Sequence, residues 1–205
     1  MLRVLVPWWL NLDTIARFTA DEIIGKVPLP AMAARVLDVG GGHAMYSIAL
    51  CRKHPGVSVT VFDSPQALNT ARENIAQAEM GDRIALQEGD FRHDHLGSGY
   101  DAALLFNIIH GLTSDENTDL FRKVGEALKP GGRIVILEQL AGRSPLSMIR
   151  AVSGILGMSY FHVLDGQVYA YEAVAGWLAA AGFTNVRRIN LLRVPGNSLV
   201  LGVAP

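Results

Sequence analysis

The sequence predicts an α/β fold: a doubly wound, Rossmann-like sheet of seven strands that ends in an antiparallel hairpin. Two observations carry this prediction. Short β-branched runs alternate with helical stretches through most of the chain, and the last two runs are separated only by a turn. Regular alternation of strand and helix is typical of a parallel sheet with right-handed crossovers, whereas two strands joined by a turn form a hairpin.

Five buried parallel strands are predicted from short β-branched runs. In chain order they are Arg35–Val39, Ser58–Phe62, Arg83–Gln87, Ala102–Phe106 and Arg133–Leu137. The helices predicted between them are Ala44–His54, Pro65–Glu79 (with Ser64 as N-cap) and Ser114–Leu128.

The last third of the chain departs from this alternation. Gln139–Val168 is apolar and irregular, and its part rich in Met and aromatic residues, Ser147–His162, either lines a substrate pocket or forms the core face of a helix. The elements predicted after it are one helix and the two hairpin strands: Tyr169–Ala181 (ending at Gly182), Thr184–Leu191 and Ser198–Val203. A parallel sheet finished by a hairpin is not the arrangement of nicotinamide dehydrogenases.

The composition is that of a globular domain. Of 205 residues, 50% are hydrophobic and 18% are charged, which excludes intrinsic disorder. The net charge of −1 gives no electrostatic attraction to nucleic acid, so no nucleic-acid partner is expected. The single cysteine, Cys51, excludes an internal disulfide and a four-cysteine zinc site. No metal site is predicted at His93-Asp-His95 either, because these loop histidines have no third ligand in reach.

Residues 1–30 are predicted to form an N-terminal helical arm and residues 31–205 the main domain. Two prolines in Lys26–Ala31 stop a helix and mark the boundary. The apolar start, Met1–Leu12, raises the alternative of a signal peptide, but Pro7 and the lack of a small-x-small cleavage site favour an arm that packs on another surface. No uncharged run reaches the roughly 18–20 residues that span a bilayer, so we expect no membrane span. A single cysteine says little about the compartment, and the cytoplasm is the default expectation.

The first motif with chemical meaning is Asp38-Val-Gly-Gly-Gly-His-Ala44, where the first predicted strand ends and a helix begins. Glycines there let the backbone approach a ligand, and the helix N-terminus offers unpaired N–H groups. The dinucleotide fingerprint G-x-G-x-x-G fails because Met45 stands at its last glycine, whereas Gly40, Gly42 and Ala44 fit a G-x-G-x-small pattern. A tight strand–helix connection without a ligand is the alternative interpretation.

Two further motifs follow the next two predicted strands. Asp63 directly follows the second strand, where a carboxylate can accept both hydroxyl protons of an adenosine ribose; alternatively it caps the next helix. Asp90 and Phe91 follow the third strand, where a carboxylate can accept from an exocyclic amine and a ring can lie along a purine. Because neighbouring parallel strands end at one edge, the three motifs together favour an adenosine-containing ligand.

A histidine and a carboxylate lie at the carboxyl ends of the next two predicted strands. His110 lies beyond the fourth predicted strand and Glu138 closes the fifth, so the two side chains are expected close together. A carboxylate can fix the tautomer of a neighbouring imidazole, and the histidine can then serve as a general base. A core histidine that is hydrogen-bonded to a strand-end acid is the alternative.

These motifs, in this order, closely resemble the class I S-adenosylmethionine-dependent methyltransferases. The matching segments are Leu37-Asp-Val-Gly-Gly-Gly42, Val61-Phe-Asp-Ser-Pro65, Gln87-Glu-Gly-Asp-Phe91, His110 and Leu128-Lys-Pro-Gly-Gly-Arg-Ile-Val-Ile-Leu-Glu138. More narrowly, the chain resembles the catalytic domain of the caffeate-type and hydroxyneurosporene-type O-methyltransferases. That resemblance implies transfer of a methyl group from S-adenosyl-L-methionine to a hydroxyl of a small aromatic or polyketide-like metabolite, with S-adenosyl-L-homocysteine as product.

The resemblance also implies roles for individual residues. Five of them would hold the cofactor, at its methionine end (Gly40, Gly42), its ribose (Asp63) and its adenine (Asp90, Phe91). His110 matches the catalytic base, and Glu138 matches an acidic residue that holds it. The sequence departs from the family pattern at four positions. Ala44 replaces a glycine of the loop, and Gly111 stands where plant members have an acidic residue after the histidine. Phe106 stands where they often have a cofactor-contacting lysine, and Val168 stands near the position of their second histidine-supporting glutamate.

The usual N-terminal dimerisation domain of this family has no counterpart in the sequence, where residues 1–30 are interpreted as the remnant linker helix. Its apolar side chains, which include Trp8 and Trp9, would bind a second copy of the chain or a missing-domain partner. Two alternatives to an O-methyltransferase are a cofactor-binding module without turnover and a non-methylating member of the same family. The identity of the acceptor is not predicted.

Overall fold

The computed structural model describes residues 16, 19–29, 34–141, 167–191 and 197–205. Its strands are β1 (Ala34–Val39), β2 (Val57–Asp63), β3 (Ile84–Glu88), β4 (Tyr100–Phe106), β5 (Leu128–Gln139), β6 (Thr184–Asn190) and β7 (Asn197–Val203). Its helices are α1 (Met45–Lys53), α2 (Ala67–Gln77), α3 (Ser114–Ala127) and α4 (Tyr171–Ala180), with a 3₁₀ turn at Ile109–Gly111. The predictions for Ser147–His162, Trp8 and Trp9 lie outside the described residues.

The sheet has the predicted architecture. Its strand order is β3-β2-β1-β4-β5-β7-β6, and β1 to β5 run parallel. The strand β7 lies antiparallel between β5 and β6, which confirms the hairpin at the end of the chain. β5 begins five residues earlier than the predicted start at Arg133, because the chain passes through Gly131 at φ 75° and continues pairing beyond a register shift.

The order of the strands creates one crevice at the carboxyl edge of the sheet. β1 and β4 are neighbours in space, yet the chain leads from β1 outward to β2 and β3, and from β4 the other way to β5. Loops at such a switch point diverge, and open α/β sheets bind ligands there. The glycine turn after β1, which begins at Gly40, and the turn after β4, which carries His110, therefore face one another across this crevice.

Two apolar clusters cover the two faces of the sheet. The first includes part of the N-terminal segment, which is helical over residues 19–24 and buries Ile23 and Ile24. The second lies under α3 and α4 and includes Phe121 and Leu178. The described part of the predicted arm therefore shares a core with β1 and β2, and the boundary at residue 30 stays a prediction.

Among the described residues, no helix combines the length and the apolar character that a membrane crossing requires.

Candidate functional site

The glycine turn lies directly against the segment that follows β4. Gly40 takes φ 70°, and its N–H donates to the carbonyl of Phe62 at 2.8 Å. A Cβ atom at Gly40 would lie 2.6 Å from Cγ2 of Ile108, closer than real contacts allow. Both the backbone conformation and the space therefore require glycine here. Ala44, at φ 56°, completes the turn before α1.

Asp63 lies beside the glycine turn, as the resemblance implies for a ribose-binding carboxylate. Its Oδ2 accepts from the N–H of Gly42 at 2.9 Å, and its Oδ1 accepts from the N–H of Ser64 at 2.7 Å. Burial raises the pKa of Asp63, and these N–H donors oppose that rise. The predicted alternative, that Asp63 caps α2, finds no support among its hydrogen bonds. The predicted N-cap Ser64 is not confirmed either: α2 begins after Gln66, and the Oγ of Ser64 accepts from the N–H of Ala67 at 3.4 Å in the turn before the helix.

Asp90 and Phe91 lie at the next position along the same edge. The N–H of Gly89 donates to the carbonyl of Asp63 at 3.0 Å, which joins the ends of β2 and β3. Asp90 is exposed, and its Oδ1 accepts from the N–H of Arg92 at 2.9 Å. Phe91 is half-buried and packs against the core under α3. The structure thus brings the five predicted cofactor residues to one edge, in the order of the strands.

His110 and Glu138 form a buried pair on the other side of the crevice. Nδ1 of His110 lies 3.1 Å from both carboxylate oxygens of Glu138. The side chains are 7% and 1% exposed, so little water competes for this contact. The strand register explains why His110 and Glu138 are close. β4 and β5 are parallel neighbours with Phe106 opposite Leu137, and His110 and Glu138 follow these two residues in the chain. Glu138 also accepts from the N–H of Gln139 at 3.1 Å.

Asp38 is a buried carboxyl group to which the sequence analysis assigned no role. It lies on β1 directly before the glycine turn, and its Oδ2 accepts from the hydroxyl of Ser47 at 2.6 Å. Burial raises the pKa of Asp38 to about 7, with the Ser47 hydrogen bond opposing and Asp63 adding to the rise. A Cβ at Gly41 would lie 2.6 Å from this carboxyl group. The signal available in the sequence was a charged residue inside an apolar strand.

Asn117 is a second residue that the sequence analysis missed. It is completely buried in the first turn of α3, where its side chain donates to backbone carbonyls around His110. A signal was present, because Asn117 lies three, four and seven residues before Leu120, Phe121 and Val124 and so shares their apolar face. A polar residue on the buried stripe of an amphipathic helix needs a partner.

Within the described residues, no group of three His, Cys, Asp or Glu side chains is arranged to hold a metal ion. His93 lies in the loop after β3, and its Nε2 is 3.9 Å from Oδ2 of Asp90, with both side chains exposed.

The residues present at the cofactor edge suit an adenosine-containing ligand. The turn is built from glycines where added Cβ atoms would meet Ile108, Asp38 or Asp63, so the backbone itself borders the crevice. Asp63 offers carboxylate lone pairs to a diol, and Asp90 offers an exposed acceptor. Together with the buried His110–Glu138 pair, these features define the class: a nucleoside-cofactor-binding α/β domain with a histidine–carboxylate pair across the crevice.

Comparison with known proteins identifies the family within that class. The model of the O-methyltransferase domain family matches residues 10–184. The chain belongs to this family, as the resemblance predicted, and S-adenosylmethionine is the cofactor that membership assigns.

Two curated relatives are informative. The chain is 34% identical over 196 residues to 3-hydroxy-5-methyl-1-naphthoate 3-O-methyltransferase of Streptomyces sahachiroi, covering 96% of the chain and 56% of that protein. It is 31% identical over 169 residues to L-tyrosine C(3)-methyltransferase of Streptomyces lavendulae, covering 80% of the chain and 44% of that protein. The chain therefore spans about half the length of the curated relatives it matches.

Solved structures agree with this assignment. SibL, described as an S-adenosylmethionine-dependent methyltransferase, superimposes with a TM-score of 0.83 at 28% identity, over 97% of this chain and 58% of SibL. An O-methyltransferase family 2 protein from Planctomyces limnophilus, solved with apigenin, gives a TM-score of 0.84 at 27% identity, over 95% of this chain and 60% of that one. The prediction of a Rossmann-like fold is confirmed.

Proposed function

We propose that this chain is the catalytic domain of an S-adenosylmethionine-dependent O-methyltransferase that acts on the hydroxyl of a small aromatic metabolite. One observation carries the proposal: the buried contact between His110 and Glu138 lies across the sheet's switch point from the glycine turn. A base placed there faces the end of the crevice where the resemblance puts the methionine part of the cofactor.

The cofactor would be held along the edge from β1 to β3. Gly40 and Gly42 would border its methionine end, Asp63 would accept from the ribose hydroxyls, and Asp90 with Phe91 would bind the adenine. S-adenosylmethionine, when bound, supplies an electrophilic methyl group on a positively charged sulfur. The separate cofactor and base regions of the site are consistent with a transfer that needs no covalent intermediate on the protein.

His110 would remove the proton from the acceptor hydroxyl. Its Nδ1 faces two carboxylate oxygens of Glu138, which only accept, so the neutral ring carries its proton on Nδ1. Nε2 is then the basic nitrogen, and it takes the hydroxyl proton as the acceptor oxygen bonds to the methyl carbon. Glu138 stabilises the imidazolium that results, because the pair is shielded from water.

The relatives suggest the acceptor class. The naphthoate O-methyltransferase is named for a hydroxylated bicyclic aromatic acid, so a naphthol-like hydroxyl is the proposed acceptor. The tyrosine C(3)-methyltransferase supports a second candidate, methylation at the carbon next to a phenolic hydroxyl. Removal of the phenolic proton activates both positions, so His110 would serve either reaction.

The proposal extends to assembly and location. Residues 1–30 are proposed as an arm that binds a second copy or a partner domain, because their sequence is apolar and residues 19–24 are helical. The cytoplasm remains the predicted compartment, which suits a cofactor of central metabolism.

The test measures cofactor binding and methyl transfer separately. S-adenosylhomocysteine is titrated into the chain by calorimetry, and transfer from radiolabelled S-adenosylmethionine to 3-hydroxy-5-methyl-1-naphthoate is followed by chromatography and NMR of the product. We expect His110→Gln to reduce transfer at least about 100-fold with little change in affinity. His95→Gln, at an exposed histidine, is the matched control and should behave as the unmodified chain.

Each outcome has a distinct meaning. Activity that survives His110→Gln would refute the general-base assignment. A ring-methylated product would replace O-methylation by the second candidate. Tight binding without turnover on a panel of naphthols and phenols would favour the cofactor-binding module, and loss of binding in Asp63→Ala would locate the ribose site.

A further inference from the structure

The turn that carries His110 is held by hydrogen bonds from outside itself. We define the His110 turn as residues 109–112. Its four carbonyls each accept from another part of the chain: that of Ile109 from Asn117, that of His110 from the backbone N–H of Gln167, that of Gly111 from Arg92, and that of Leu112 from Asn117 and Tyr169. Within this single 3₁₀ turn, the N–H of Leu112 also donates to the carbonyl of Ile109 at 3.3 Å, and the contacts from other parts of the chain determine where the turn lies.

Asn117 donates hydrogen bonds to backbone carbonyls on both sides of His110. Its Nδ2 donates to the carbonyl of Ile109 at 3.0 Å and to that of Leu112 at 3.3 Å, one residue before and two residues after His110. Because both partners are carbonyls, which only accept, the orientation of the amide is fixed by chemistry. The contact with Glu138 orients the imidazole ring of His110, and the hydrogen bonds from Asn117 hold the backbone that carries this ring.

The hydrogen bonding of Asn117 argues against a role in packing alone. The residue is fully buried, and its Oδ1 has no hydrogen-bond partner within the part of the chain that the structure describes. A buried acceptor without a partner destabilises the fold, and an apolar side chain at this position of α3 would avoid that penalty. What asparagine provides here, and leucine would not, is a pair of N–H donors aimed at the His110 turn.

We propose that Asn117 is a positioning residue for methyl transfer, which holds the backbone of the His110 turn so that the imidazole keeps its orientation towards Glu138 and the acceptor. This inference rests on the proposed role of His110. It makes no claim that Asn117 touches cofactor or acceptor. Loss of its donors lets the turn shift by a fraction of an ångström, and displacements of that size reduce the rate of an aligned reaction.

The test uses the full chain, with ¹⁵N-labelled histidine, in the presence of S-adenosylhomocysteine. NMR follows the Nδ1–H resonance of His110, assigned by its loss in His110→Gln, and its exchange with solvent. We expect Asn117→Ala and Asn117→Asp to accelerate that exchange at least about tenfold, while affinity for S-adenosylhomocysteine stays within about twofold. With the naphthoate as probe, kcat should fall about 10- to 100-fold and KM should change little.

Val124→Ala is the matched control for stability. Val124 is fully buried seven residues along the same face of α3 and makes no side-chain hydrogen bond, so its truncation loosens the same helix without touching the turn. Its His110 resonance should match that of the unmodified chain. The inference is overturned if Val124→Ala accelerates exchange as much as Asn117→Ala does, or if neither Asn117 variant changes the resonance.

The NMR measurement also separates this inference from the proposed function. If the unmodified chain transfers no methyl group to the naphthoate, the proposed function fails for that acceptor. The exchange rate still decides whether Asn117 holds His110, because it requires no turnover. If transfer occurs and Asn117→Ala retains full kcat, the proposed function stands and the positioning role is refuted.

Discussion

Replacing Asp38 by asparagine should remove a pH-dependent penalty from the stability of the domain. Burial raises the pKa of Asp38 from 3.8 to about 7 in the folded protein. The unfolded chain therefore releases this proton at lower pH than the folded one. As pH rises above about 4, the folded state alone retains the proton, and the free energy of unfolding falls until the pH passes about 7. Above that value the penalty is constant.

The size of this loss of stability follows from the slope of the free energy of unfolding against pH. Each pH unit between the two pKa values costs about 1.4 kcal/mol of stability, and the loss per unit halves at the folded pKa, so this carboxyl group should remove about 2 kcal/mol between pH 5 and pH 7. The amide introduced by Asp38→Asn cannot ionise, and its oxygen can still accept from Ser47, which now donates to the carboxyl group at 2.6 Å. The stability of Asp38→Asn relative to the unmodified chain should therefore rise by that amount over this interval.

Urea denaturation at half-unit steps from pH 5 to pH 8 measures this difference. Asp101→Asn is the matched control, because the contacts of Asp101 with Lys129 and Arg35 lower the pKa of that carboxyl group, which is then ionised in both states above pH 5. Its difference from the unmodified chain should not depend on pH in this interval. A difference for Asp38→Asn that is equally flat would refute the buried, protonated carboxyl group.

Three further predictions concern the two sides of the crevice. Glu138→Gln should lower kcat at least about 100-fold on the naphthoate probe, with unchanged affinity for S-adenosylhomocysteine, because the imidazolium loses its counter-charge; near-normal kcat would contradict this. Gly40→Ala should lower the free energy of unfolding in urea by about 1–3 kcal/mol and abolish calorimetric binding of S-adenosylhomocysteine, because its Cβ would meet Ile108. Gly176→Ala, which has open space around it, should instead raise the free energy of unfolding by about 0.5–1 kcal/mol. Equal effects of the two substitutions would refute the steric argument. Lys123→Met should weaken S-adenosylhomocysteine binding about three- to tenfold, because Nζ donates to the carbonyl of Phe91 at 2.8 Å; an affinity unchanged by calorimetry would show that this contact does not support the adenine loop.

The fold was predictable because each element carries a local signal. The limits of β1 to β4 differ from the predicted ones by two residues at most, because each strand is short and contains apolar residues. The prediction of a buried strand was wrong for β3, which lies at the edge of the sheet and buries only Ile84. β5 was predicted too short, since Lys129-Pro-Gly-Gly132 is typical of a turn, whereas in the structure Leu128 pairs with Tyr100 and backbone hydrogen bonds join Gly131 and Gly132 to Ala204. Helix limits were off by one or two residues, as at α4, which begins at Tyr171 rather than Tyr169.

The site was predictable where chemistry coincides with the end of a strand. Asp63 and Glu138 end or nearly end their strands, and parallel pairing then brings them to one edge without any knowledge of loops. Asn117 stood out as a polar residue on an apolar helix face, but its partners, like that of Tyr169, are backbone carbonyls, which the sequence does not identify. Asp38 was missed for a related reason: its environment, rather than its type, gives it an unusual pKa.

The helix α3 connects the two halves of the site. Lys123 contacts the loop that follows β3, and Asn117 contacts the turn that follows β4, so one helix spaces the proposed adenine site from the proposed base. A capping box at Thr113 and Glu116 fixes where this helix begins. A one-residue shift in the register of this helix would turn both donors away by about 100°. The spacing between the proposed cofactor and base residues therefore depends on the local sequence that starts α3, and the choice of acceptor must be determined by residues outside this set.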